Sequence, residues 1–89
     1  MILPVQLRMA RAALDWTVRE LATQTGVNKN TISRFEAEKD ILAGSLREIE
    51  KVLLEAGIRF IEADDEYGPG IRVSEDRLKA NLKKRSQNS

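Results

Sequence analysis

Residues 17–28 constrain the fold of this chain more than any other stretch. Thr17-Val18-Arg19-Glu20 has the Thr-x-x-Glu spacing in which a threonine oxygen and a glutamate each satisfy a free amide at a helix start. A helix from Val18 to Thr25 follows. Gly26 comes next, where helices commonly end in a left-handed residue, the conformation that costs glycine least. Asn28 then caps a further helix from Lys29 to about Ala37, in which Ile32 and Phe35 form an inward pair. Two short helices must therefore meet across a sharp turn. Lys29, Asn30, Ser33 and Arg34 lie on the outward side of the second.

The flanking segments read as helices and one hairpin. Leu3, Leu7, Ala10 and Leu14 recur at helical spacing around Pro4, so a first helix spans about Pro4 to Ala13. Ser45-Leu46-Arg47-Glu48 is a second capping box, opening a helix through Leu46, Ile49, Val52 and Leu53 that Gly57 closes. From Ile58 the period changes. Ile58, Phe60 and Ala63 alternate with polar residues, and a turn-rich Asp64–Gly70 segment separates them from Ile71-Arg72-Val73, which predicts a hairpin. Ser74 caps a last helix from Glu75 to about Lys84, and 86–89 is polar and expected to fray. The fold class is mainly α: four to five helices with a short C-terminal β-hairpin.

With 89 residues, 42% of them hydrophobic, the chain fits one small core with a thin stability margin. A hairpin of two short strands is marginal alone, so it must pack on the helices or pair its edge with another chain. The second outcome predicts a homodimer with Ile58, Phe60, Ile61, Ile71 and Val73 at its interface. The division expected is 1–57 for the helices around that turn, 58–73 for dimerisation and 74–89 for a basic tail.

Several classes of function are disfavoured. Without histidine or cysteine, the commonest general base and the most reactive nucleophile are missing, so no enzyme and no cofactor is expected. The acids Glu62, Asp64, Asp65 and Glu66 do not follow the spacing of an EF-hand, so no metal is expected either. Gly68-Pro69-Gly70 has no Lys-Ser or Lys-Thr after it and is a turn, not a phosphate loop. Met1-Ile2-Leu3-Pro4 lacks a signal-peptide pattern and no apolar run approaches a membrane span, which predicts a cytoplasmic protein without membrane contact.

Net charge is only +1, but its distribution is uneven. Lys79, Lys83, Lys84 and Arg85 make the end of the chain basic, either as an arm on phosphates or as a solvated helix end.

The stretch from Leu14-Asp15-Trp16-Thr17-Val18-Arg19-Glu20-Leu21-Ala22 through Gly26-Val27-Asn28-Lys29-Asn30-Thr31-Ile32-Ser33-Arg34-Phe35-Glu36 resembles the helix-turn-helix of the XRE, or lambda-repressor-like, family. The resemblance covers about residues 4–56. It implies a bacterial transcriptional regulator, a repressor of the phage Cro and CI kind, that binds double-stranded DNA. The remainder, from Leu54 to Val73, resembles the C-terminal extension of short bacterial members.

Major-groove chemistry suits the outward residues. Lysine can donate to guanine O6 and N7, asparagine can pair with adenine N6 and N7, and serine is short and permissive. Lys29, Asn30 and Ser33 are thus either base readers or solvated residues of a helix face. Arg34 can reach a base or a phosphate, or pair with Glu38. Thr17, Arg19, Asn28 and Thr31 are candidates for the sugar-phosphate backbone, as are Arg8 and Arg11 on the first helix. Asn28 serves equally as a plain cap. Many relatives carry glutamine at the first position of the second helix, where it touches a phosphate; this chain has Val18. Trp16 is read as a core anchor. The rival to a DNA-binding regulator is an antitoxin or antiactivator that acts mainly on a protein partner, for which an exposed apolar hairpin would be the sign.

Overall fold

A computed structural model describes residues 1–88, with side chains described through Lys83. The elements are α1 (Pro4–Leu14), α2 (Val18–Thr25), α3 (Lys29–Glu36), α4 (Ala43–Glu55), β1 (Ile58–Ile61), β2 (Gly70–Val73) and α5 (Glu75–Asn88). The chain is mainly helical, with one antiparallel hairpin near its C-terminus.

One core joins α1 to α4 and β1. Leu7, Ala10 and Leu14 of α1 meet Leu21 of α2, Ile32 and Phe35 of α3, and Leu46, Ile49 and Leu53 of α4. Leu7, Leu21, Ile32, Ile49 and Leu53 have no exposed surface, so each contributes about 1.5–3 kcal/mol through burial alone. Trp16 and Val18 are half-buried against the same core. Trp16 is thus an anchor of packing, as expected. Val18, at the first position of α2, is likewise a packing residue.

The local signals that start and stop helices act as read, with instructive exceptions. Thr17 Oγ1 accepts the Glu20 amide at 3.0 Å, and Asn28 caps α3 by accepting the Asn30 amide at 2.7 Å. Gly26 closes α2 at φ 75°. Ser74 Oγ accepts the Arg77 amide at 3.2 Å and opens α5. The Glu20 half of the first capping box differs: its carboxylate accepts from the Thr17 hydroxyl at 3.3 Å.

Helix α4 corrects the reading of Ser45. It begins at Ala43, three residues before the Leu46 start that a Ser45 cap implies, and its N-cap Leu42 makes no side-chain cap bond. Ser45 therefore lies inside the first turn. Leu42 is 79% exposed, so water can solvate the free amides, and Ala43 is a strong helix former that carries the helix upstream. At the other end of the chain α5 runs to Asn88, past the expected stop near Lys84. The side chains of Lys84 and Arg85, half of the basic tail, lie outside the described residues, as does Ser89.

The hairpin resolves the choice posed by its marginal size. Ile58 pairs with Val73, Arg59 with Arg72, Phe60 with Ile71 and Ile61 with Gly70. Because side chains alternate across a strand, Ile58, Phe60, Ile71 and Val73 share one face. That face packs inward: Ile58 is 2% exposed, and Phe60, Ile71 and Val73 lie against the core. A second bond comes from Gln6, a buried residue on α1. Its Nε2 donates to the carbonyls of Ile61 (3.1 Å) and Gly70 (3.0 Å), and its Oε1 accepts the Leu3 amide at 2.9 Å. The apolar face expected at a dimer interface is therefore turned into the protomer. Ile61 alone of that set points outward, at 41% exposed.

Candidate nucleic-acid interface

Helices α2 and α3 and the turn between them form the site. Ile32 and Phe35 anchor α3 in the core, which sends positions 29, 30, 33 and 34 to the opposite side. Lys29, Asn30, Ser33 and Arg34 are all exposed, and among the described residues none of their side chains has a hydrogen-bond or ion-pair partner within the protein. Arg34 does not pair with Glu38. That carboxylate is 3.7 Å from Arg8 instead.

The backbone candidates separate into free and engaged groups. Arg19 is exposed at the start of α2 without a partner among the described residues. Thr17 is exposed, but its hydroxyl both accepts from the Glu20 amide and donates to the Glu20 carboxylate. Asn28 is exposed with its carbonyl oxygen engaged as a cap, leaving its amide nitrogen outward. Thr31 is half-buried. The first amides of α3 add a positive dipole end beside these groups, a feature that attracts anions.

Arg8 and Arg11, candidates for the sugar-phosphate backbone, are both engaged within the protein. Arg11 Nε and Nη2 each donate to the Glu36 carboxylate at 2.7 Å, and Nη1 donates to the Trp16 carbonyl at 3.1 Å. The hydrogen bonds to Glu36 raise the Arg11 pKa above its ordinary value, outweighing the opposing effect of partial burial. Arg8 donates to the Glu36 carbonyl. Both arginines hold the C-terminal end of α3 against α1, where cations also favour the negative end of the helix dipole. No local sequence signal marks this pair, because its members are 25 positions apart.

Past α3 the chain leaves through a tight exit. Glu38 adopts φ 66°, the Glu38 amide donates to the Phe35 carbonyl at 3.0 Å, and the Lys39 amide donates to the Arg34 carbonyl at 2.9 Å. This six-to-one and five-to-two pattern ends a helix abruptly and satisfies its last carbonyls. With a capped start, a fastened end and a buried inner stripe, α3 is held in place and presents four polar side chains that have no partner among the described residues.

Two helices in this arrangement define a DNA-binding helix-turn-helix, in which the second helix enters the major groove. The family described as Helix-turn-helix (HTH_3) matches residues 7–53, more than half of the chain. The protein belongs to that family, the XRE or lambda-repressor-like group of DNA-binding transcriptional regulators. No curated protein matches the chain. Among the described residues no helix is long and apolar enough to cross a membrane.

Proposed function

We propose that this protein is a sequence-specific regulator that binds a pseudo-palindromic duplex as a homodimer, with α3 of each copy in a major groove. The observation that carries this reading is the outer face of α3. Lys29, Asn30, Ser33 and Arg34 are exposed, and among the described residues unpartnered, on a helix fixed at both ends. Side chains with no internal partner keep their donors for base edges, and a fixed helix lowers the entropy cost of placing them.

Lys29, Asn30 and Ser33 read bases in this account, and Arg34 reads a base or braces a phosphate. Arg19, the Asn28 amide and Thr31 hold the sugar-phosphate backbone, and Thr17 contributes through the helix start it caps. Residues 1–57 supply DNA binding and the hairpin at 58–73 supplies pairing of copies. Two recognition helices about 34–36 Å apart would span one turn of B-DNA. In the cytoplasm of a bacterium, the position of the operator would decide between repression by occlusion and activation by contact with polymerase.

The alternative, an antitoxin or antiactivator acting mainly on a protein partner, looked to an exposed apolar surface at Ile58, Ile61, Ile71 and Val73. Ile58, Ile71 and Val73 are packed in the protomer and Ile61 is exposed, which reduces that surface and favours the DNA-directed reading.

The test compares two substitutions on a selected duplex. Asn30→Ala should weaken binding by roughly 1–3 kcal/mol and relax preference at one base position. Arg19→Ala should weaken all sequences alike and reduce the salt slope by about one unit. Loss of base preference in the Arg19 variant, with none in the Asn30 variant, would contradict the assignment of α3 as the reading helix.

A further inference from the structure

The outer face of the hairpin carries an ordered charge gradient. Arg59 and Arg72 are directly paired across the strands, both exposed, and among the described residues neither has an acidic partner. Like charges placed opposite one another destabilise a sheet, so this pair stores unneutralised positive charge. The next outward row is Ile61 opposite Gly70. Ile61 is 41% exposed, and a Cβ at Gly70 would meet nothing within 4 Å, so the middle of the face is apolar and open. Beyond it lies the turn with Asp64, Asp65 and Glu66, all exposed.

Spacing makes this face complementary to itself. The arginine row lies two residues before Ile61, about 7 Å along an extended strand, and the acids follow three to five residues after it along a bending turn. The apolar row is therefore near the midpoint between opposite charges. The turn is built to hold its place: Asp64 accepts the Tyr67 amide at 2.7 Å and the Glu66 amide at 2.9 Å, which leaves Asp65 and Glu66 directed to solvent.

We propose that the occupant of this face is a second copy of the chain, docked antiparallel about a twofold axis through the Ile61–Gly70 row. In such an isologous contact each pairing occurs twice. Arg59 and Arg72 of each copy meet Asp65 and Glu66 of the other, and the two Ile61 side chains meet at the axis over the open Gly70 positions. This inference rests on the homodimer reading above and supplies the surface that the inward-facing residues of the hairpin cannot. The face is small, so the association in solution is at the weak end of specific interfaces.

Charge exchange tests it by sedimentation velocity at about 10–200 µM protein and low salt, a range suited to a small interface. Three variants are used: Arg59→Glu with Arg72→Glu, Asp65→Lys with Glu66→Lys, and all four changes in one chain. Each two-residue variant should lose at least roughly tenfold in self-association, since like charges then face each other. The four-residue variant should regain it. An equimolar mixture of the two defective variants should also dimerise, because every contact in the mixed pair is again between opposite charges. Circular dichroism of each variant checks that the fold is retained. A dimeric wild type whose reversed variants stay dimeric, or whose exchanges fail to restore association, would overturn this surface and leave the homodimer standing. A wild type that is monomeric both free and on DNA would overturn the homodimer reading itself, and the surface with it.

Discussion

Arg11 grips the Glu36 carboxylate through two hydrogen bonds, each 2.7 Å, and so fastens the last turn of α3 to α1. The Glu36 side chain is only 10% exposed and that of Arg11 23%, which shields the pair from the screening that weakens surface ion pairs. Arg11→Ala would leave a carboxylate partly buried without its partner. The predicted cost is roughly 1–3 kcal/mol in urea unfolding. At a temperature where the variant remains folded, affinity for a specific duplex should also fall, because the end of α3 then keeps only the Arg8 contact to the Glu36 carbonyl and its own backbone closure. Unchanged affinity would show that the helix is positioned by Ile32 and Phe35 without help from this pair.

Gln6 ties the hairpin to α1, and two substitutions separate its packing from its hydrogen bonds. Gln6→Leu keeps a similar volume but leaves the Ile61 and Gly70 carbonyls without their amide donor, at a cost of roughly 1–3 kcal/mol for each group left buried. Gln6→Glu is predicted to be worse at neutral pH, since a carboxylate would face two carbonyl oxygens, and to recover as the acid is protonated. Faster amide exchange in β1 and β2 is the readout. Hairpin protection equal to wild type in both variants would contradict the role given to Gln6.

Gly26 and Gly57 both have positive φ, 75° and 97°, yet they should respond differently to alanine. At Gly26 an added Cβ would meet nothing within 4 Å, so Gly26→Ala should cost about 1–2 kcal/mol from backbone strain alone. At Gly57 the same atom would lie 2.5 Å from Ser74 Oγ and 3.2 Å from Arg77 Cβ, which forces the α4–β1 and β2–α5 junctions apart. Gly57→Ala should therefore lower the melting temperature by more than Gly26→Ala. The reverse order would mean that Ser74 can move aside freely.

Asp64 gives a prediction with a definite sign. The amides of Tyr67, first, and of Glu66 hold its carboxylate in the charged form and lower its pKa below the ordinary 3.8. A lowered folded pKa means that the contribution to turn stability is present above 3.8 and is lost as pH falls through the folded value. Carboxyl chemical shifts of Asp64 and the amide shift of Tyr67 should titrate together, below that point. Separate titrations would show that the turn does not rest on this contact.

Legibility of the fold followed the range of the forces that build it. Thr17, Gly26, Asn28 and Ser74 act on amides within a few residues, so their roles could be read from spacing, and the 3.6-residue stripes in α1, α3 and α4 located the core. The start of α4 could not be read this way. Ser45 and Glu48 matched a cap pattern, but solvent at Leu42 and the helix-forming Ala43 shifted the boundary upstream. Contacts between distant residues were hidden for a different reason: Gln6 and Glu36 look like solvent-facing polar residues until the fold brings carbonyls or an arginine to them. The outer face of α3 was legible because Ile32 and Phe35 fix which side is inward. The alternation of the hairpin fits either packing on the helices or pairing with another chain; within the protomer the apolar side is packed on the core and the charged side is exposed.

The central claim is that the exposed face of α3 reads DNA sequence as part of a twofold assembly. Its most direct test is selection from a randomised duplex library with the purified protein at near-physiological salt, followed by sequencing of the enriched pool. Enrichment of a twofold-symmetric site, with half-sites about one helical turn apart, is the predicted result. Binding that is only weak, salt-sensitive and without any enriched sequence would contradict it.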